Sequence, residues 1–136
     1  MGMQFLPSLV HLPCISDPLG TLGVIEGPSI LPFDVKRAYF IQGIPAGSVR
    51  GSHAHKELQQ LIFAPSGSFD LILDDGVKLF EFRLESQSVA VVVPPGYWRT
   101  LQNFSSDAVC MVLASAMYDE SDYIRDYQEF LNWKIE

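Results

Sequence analysis

The chain has 136 residues, which suits one domain with one core, and its 48% apolar and 18% charged composition excludes a disordered chain. A net charge of −7 argues against nonspecific nucleic-acid binding. The apolar runs all fall short of the ~18 residues of a membrane-spanning helix, so no membrane association is expected.

Proline and glycine punctuate short apolar runs throughout, which predicts an all-β domain. In chain order, the opening MGMQFLPSLVHLP lacks the basic start of a secretory signal. Cys14 and Cys110 are too few for a disulfide scaffold. A cytoplasmic protein with reduced thiols is expected. Strands are expected over 23–26, 37–42, 51–55, 60–64, 68–73, 78–84, 88–93, 99–103 and 108–114. Asp75-Gly76 between LILD and VKLFEF is a hairpin signal. VAVVV (89–93) has no polar alternation and predicts a strand buried on both faces.

The charge is unevenly spread. Residues 36–56 hold four bases (Lys36, Arg37, Arg50, Lys56) and no acid, which fits either an anion site or chance clustering. Residues 119–136 hold six acids and two bases. Within that tail, Tyr123, Ile124, Tyr127, Phe130 and Leu131 recur at helical spacing, with Asp119 or Ser121 as the cap. One amphipathic helix is expected there, its aromatic stripe serving the core or a subunit contact. Nine short strands and a helix suggest a β-sandwich or barrel.

In RGSHAHKELQQ (50–60), His53 and His55 would share a strand face. The spacing leaves open metal ligands, a general acid/base pair or solvated imidazoles. Gly47, His53, His55, Gln59 or Gln60, and Gly67 are followed by Pro94-Pro95-Gly96, Arg99 and Asn103. This order resembles the two signature motifs of the cupin superfamily, which implies a double-stranded β-helix, or jelly-roll barrel, with a short C-terminal helix. In metal-binding cupins the motifs supply three histidines and a glutamate. Here glutamine stands for the glutamate and Arg99 for the third histidine. Arginine is a permanent cation without an acceptor, so a site without metal is expected.

The stretches PFDVKRAYFI, VRGSHAHKELQQLIF, SGSFDLILDDG, PPGYWRTLQNFS and VLASAMYDESDYIRDYQEFL resemble the cupin 3,4-ketoisomerases of nucleotide-linked 4-keto-6-deoxy sugars. The resemblance runs from about Asp17 to Leu131 and implies one cupin domain over 1–136. It also implies a dTDP-4-keto-6-deoxyglucose substrate, no cofactor, and a homodimer that exchanges N-terminal strands. Leu19 departs from an arginine usual in that family. Related epimerases and non-catalytic sugar-binding cupins remain alternatives.

Moving a ketone from C4 to C3 needs a base for the C3 proton and a group to hold the enediolate oxygen. Histidine titrates near neutrality and suits the first task. By analogy with the family, His55 is the base and His53 the second acid/base or an orienting partner. Arg99 would stabilise the enediolate or bind phosphate. Arg37 and Tyr39 share a strand face, and the resemblance puts both at the site, with Tyr39 relaying a proton or bonding a sugar oxygen. Arg50 would touch the diphosphate or only the rim. Gln60 would bond a histidine or the sugar, with Gln59 the other candidate. Tyr97 and Trp98 would wall the pocket or simply pack. His11 lies outside both motifs.

Overall fold

A computed structural model describes residues 5–136. Residues 1–4 of the expected domain lie outside the described residues. The strands are β1 (Ser8–His11), β2 (Cys14–Asp17), β3 (Gly20–Gly23), β4 (Arg37–Ile41), β5 (Arg50–His55), β6 (Gln60–Ser66), β7 (Phe69–Asp74), β8 (Leu79–Leu84), β9 (Val89–Val93), β10 (Trp98–Gln102), β11 (Val109–Ala114) and β12 (Tyr123–Ile124). One helix, α1 (Tyr127–Lys134), follows. One sheet runs β1-β9-β6-β11-β4 and the other β12-β5-β10-β7-β8, while β2 and β3 form a separate ribbon. Every pairing is antiparallel.

Strand alternation creates the core between the sheets. Ile62 and Ala64 of β6, Leu71 and Leu73 of β7, Val91 and Val93 of β9 and Cys110 and Val112 of β11 all join it. Burial pushes the Cys110 thiol up to about 11. The alternate residues of β9, Ala90 and Val92, pack outward with Leu12, Leu61 and the segment carrying Ile30, Leu31 and Phe33. The β9 strand is therefore covered on both faces, as its unbroken apolar run implied. The Asp75-Gly76 turn joins β7 to β8, with Asp74 opposite Leu79.

Two expectations need correction. The N-terminus holds three strands, where one over 23–26 was expected. Short polar strands with Gly20 and Gly23 at the ends carry little apolar alternation. The tail helix is also shorter than its periodicity suggested. A 3₁₀ turn (Glu120–Asp122), capped by the Asp119 side chain, leads into β12, and α1 starts after Asp126, whose carboxylate accepts from the Glu129 N–H. Tyr123 pairs with His55, and Ile124 with Ala54, on the edge of the second sheet. Strand pairing overrides the helical spacing because Ile124 buries itself against Ala54 and Phe130. No helix among the described residues is long and apolar enough to cross a membrane.

Candidate active site

Four strands bring the predicted residues together. On β4 the half-buried residues are Arg37, Tyr39 and Ile41, while Ala38 and Phe40 are exposed, so Arg37 and Tyr39 do share a face. On β10, Arg99 points inward with Leu101, and both are buried. β5 pairs with β10 so that His53 opposes Arg99 and Arg50 opposes Leu101. Three residue steps on β5 thus match two on β10, the mark of a β-bulge. Gly51, at φ +70°, supplies the left-handed residue this needs. An unbulged strand would send Arg50 and His53 to opposite faces. The bulge lets both line the same cleft.

Arg99 is the hub. Its Nε donates to His53 Nε2 (3.2 Å), its Nη1 to Gln60 Oε1 (2.8 Å) and its Nη2 to the Tyr39 hydroxyl (3.2 Å). An arginine only donates, so the amide oxygen of Gln60 must face it. The Gln60 Nε2 then donates to the same Tyr39 oxygen (3.2 Å). Tyr39 accepts twice, which leaves its own proton free for an acceptor in the cleft. Gln60, not Gln59, is the member of this network. The Gln59 backbone N–H instead donates to the Ser115 hydroxyl.

The two imidazoles meet edge to face, with ring centres 4.9 Å apart. His53 takes the Arg99 N–H on Nε2, so its neutral form carries the proton on Nδ1. Burial first, then Arg99, lowers its pKa to about 2. His55 is buried, and its Nδ1 lies 3.0 Å from Asp122 Oδ2. Its Nε2 is enclosed and has no partner among the described residues. Burial and Arg99 lower its pKa to about 4 against the upward pull of Asp122. Both shifts favour the neutral rings at pH 7.

The Tyr123 ring meets both imidazoles at an angle, 5.0 Å from His53 and 4.3 Å from His55 between ring centres. The Arg125 guanidinium lies 4.2 Å over the Tyr123 ring, held by Glu120 at 2.8 and 2.9 Å. That pairing drops the exposed Glu120 carboxyl to about 2. Tyr123 and Arg37 line two cavities. One, of about 380 Å³, is lined by Arg37, Tyr39, Arg50, His53, Arg99 and Arg125. The other, of about 250 Å³, holds His55 and Asp122. The Arg37 Nε is buried and unpartnered among the described residues. The larger cavity thus combines several guanidinium groups with an imidazole and a phenol, a lining for an anion attached to a polar, reactive group.

The donor set does not suit a divalent cation. Arg99 uses the His53 and Gln60 lone pairs a metal would need, and brings a fixed positive charge to the same place. Among the described residues no three His, Cys, Asp or Glu side chains gather into a metal site.

Some predicted residues stand elsewhere. Tyr97 is buried in the core, its ring edge-on to Phe80 and its hydroxyl donating to the Phe5 carbonyl (2.7 Å). Trp98 packs on Tyr127 and Phe130 under α1. Neither lines the two cavities at the histidines. Leu19 tips the β2–β3 ribbon at 96% exposure. Conversely, Asp122, Tyr123 and Arg125 were assigned to a helix and missed. The Asp126-x-x-Glu129 cap spacing could have moved the helix start past them.

The fold and this arginine-centred site define a cupin barrel whose mouth is organised by hydrogen bonds. The model of the WxcM-like, C-terminal family matches residues 6–135, and the chain belongs to that family. It is 43% identical over 122 residues to the TDP-4-oxo-6-deoxy-alpha-D-glucose-3,4-oxoisomerase of Aneurinibacillus thermoaerophilus, covering 90% of this chain and 88% of that one. The crystal structure of QdtA, a sugar 3,4-ketoisomerase from Thermoanaerobacterium thermosaccharolyticum in complex with TDP, matches with a TM-score of 0.92. Its identity is 34%, and the match covers 98% of this chain and 97% of that one. The TDP-quinovose 3,4-ketoisomerase WlaRB of Campylobacter jejuni matches at 0.87, with 38% identity over 93% and 97% of the two chains.

Proposed function

We propose that this chain converts a dTDP-linked 4-keto-6-deoxyglucose to the 3-keto isomer, by proton transfer through an enediolate. The observation that carries this reading is the Arg99 hub, which sets a fixed cation and a free phenolic proton beside two imidazoles. Similarity to relatives named as 3,4-ketoisomerases supplies the substrate class.

The base takes the C3 proton, and the electron pair moves into the C3–C4 bond as the C4 ketone becomes an enediolate oxygen. Arg99 and the Tyr39 proton stabilise that oxygen. Return of a proton to C4 and loss of the C3 hydroxyl proton give the 3-ketone. Arg37 and Arg50 bind the diphosphate, and Gln60 fixes the orientation of Arg99 and Tyr39. The chemistry needs no redox cofactor, and the donor set supports a reaction without metal.

His55 serves at C3 and His53 as its partner. Asp122 on Nδ1 leaves the His55 lone pair on Nε2, which supports that assignment. One observation favours the exchanged roles: His53 lines the larger cavity, whereas His55 Nε2 is enclosed, although His53 would first have to release the Arg99 N–H that occupies its lone pair. The test uses dTDP-4-keto-6-deoxyglucose in deuterated water. Deuterium at C4 of a 3-keto product is expected, whereas label at C3 and C5 would mean an epimerase. Binding without exchange would mean a sugar-binding cupin. His53→Asn and His55→Asn are compared for C3 proton loss, which only the base variant abolishes.

The same reading includes a cytoplasmic homodimer. Cys14 and Cys110 are free, which fits a reducing compartment. Among the described residues the β2–β3 ribbon pairs with no other strand, and Ile15 and Leu22 on it are exposed, as is Phe40 on the edge strand β4. Two strands alone are marginally stable, so a second copy covering the ribbon supports the fold. Light scattering at the mass of two chains is expected, and a monomer would refute it.

A further inference from the structure

We infer that Asp122 is a positioning residue that sets which nitrogen of His55 carries the proton. Both Asp122 carboxylate oxygens are used: Oδ2 meets His55 Nδ1 at 3.0 Å, and Oδ1 accepts the Glu57 N–H at 2.8 Å. Its backbone carbonyl accepts the Lys56 N–H (3.0 Å), and its own N–H donates to the Asp119 carbonyl (3.1 Å). The carboxylate is therefore fixed on two sides, and the next residue, Tyr123, pairs with His55 itself. A carboxylate can only accept, so Nδ1 must donate and the lone pair must sit on Nε2. That nitrogen is the enclosed one without a partner among the described residues.

Other charged and titratable groups act on His55 too: His53 from its own strand, Tyr123 from β12, Arg99 from β10 and Arg37 from β4. Arg99 and Arg37 oppose an imidazolium, and Asp122 alone among the neighbours that shift its titration favours one. Asp122 thus lets His55 accept a proton in a cationic surrounding and return it with the ring unturned. This rests on the ketoisomerase reading, in which the two histidines share the proton work.

The test has two arms. Nitrogen NMR of the wild-type protein, with the histidines ¹⁵N-labelled, reads the tautomer of His55 without any substrate. The Nδ1–H form is expected, and the Nε2–H form would overturn the inference. In the second arm Asp122→Asn keeps an acceptor for the Glu57 N–H but offers His55 an amide donor, which reverses the tautomer. Turnover of the dTDP-keto sugar is expected to fall by about 10²–10⁴-fold with KM changed less than about threefold. The acidic limb of the kcat profile should move to lower pH. Unchanged kcat and profile would overturn it, and if Asp122→Asn unfolds on circular dichroism the wild-type tautomer decides. If the wild type itself incorporates no deuterium at C4, the ketoisomerase reading fails instead, and the tautomer still judges Asp122.

Discussion

Arg99 and His53 face each other across the β5–β10 pairing, and the guanidinium Nε donates to the imidazole Nε2 over 3.2 Å. By the motif resemblance, this cation stands at the position of a metal-binding cupin's third histidine. Its charge and hydrogen bonds do the organising that a metal ion does elsewhere, but it cannot be lost to a chelator.

Replacing Arg99 should expose this dependence. Arg99→Met removes the donors to His53, Gln60 and Tyr39 together. The expected loss in kcat is about 10²–10³-fold, the scale for one oxyanion-stabilising donor. Because the Arg99 charge holds both histidines down, both should titrate at higher pH in the variant. Proton NMR titration of the imidazole resonances checks this. Unmoved histidines would show that burial alone neutralises them.

The histidines also predict how stability changes with acid. Each has a folded pKa below its ordinary value of 6.5, so below pH 6.5 the unfolded chain binds protons that the folded one refuses. Stability is full above pH 6.5 and falls as pH drops toward 4, where His55 titrates in the fold. Both histidines contribute across that window, on the order of a few kcal/mol each, and His53 continues to lower stability below pH 4. The Glu120 carboxyl, held at about 2 against an ordinary 4.5, comes into play only as pH falls below about 4.5. Urea midpoints measured from pH 7 to 4 should fall, and the fall should flatten in a His53→Asn, His55→Asn double variant. A midpoint constant across that range would refute the burial of neutral imidazoles.

The helix should matter to the site through Phe130. That side chain is fully buried with Ala54 and Ile124, the residues that seat β12 beside the histidines. Phe130→Ala should cost about 3–5 kcal/mol, read from the urea midpoint at unchanged slope. It should also reduce activity, because Tyr123 and Asp122 lie on the segment it anchors. A loss below about 1 kcal/mol would mean that α1 is not docked.

The amino-acid sequence by itself carried the strand periods, the hairpin turns, the doubly covered β9 and the His53, His55 and Arg99 constellation. Those signals are local: alternation, turn chemistry and motif spacing survive in one dimension. The β-bulge at Gly51 could not be read, because it depends on pairing with a strand some fifty residues away and reverses the face of Arg50. Asp122, Tyr123 and Arg125 were hidden for the same reason. Their spacing suits a helix, and only the edge of β5 made a strand there more favourable. Tertiary structure also put Gln60 rather than Gln59 in the Arg99 network, and of the two roles open to Tyr97 and Trp98 it shows packing. Which face a side chain presents is fixed by what lies across from it, and a neighbour distant in the chain is invisible to any local pattern.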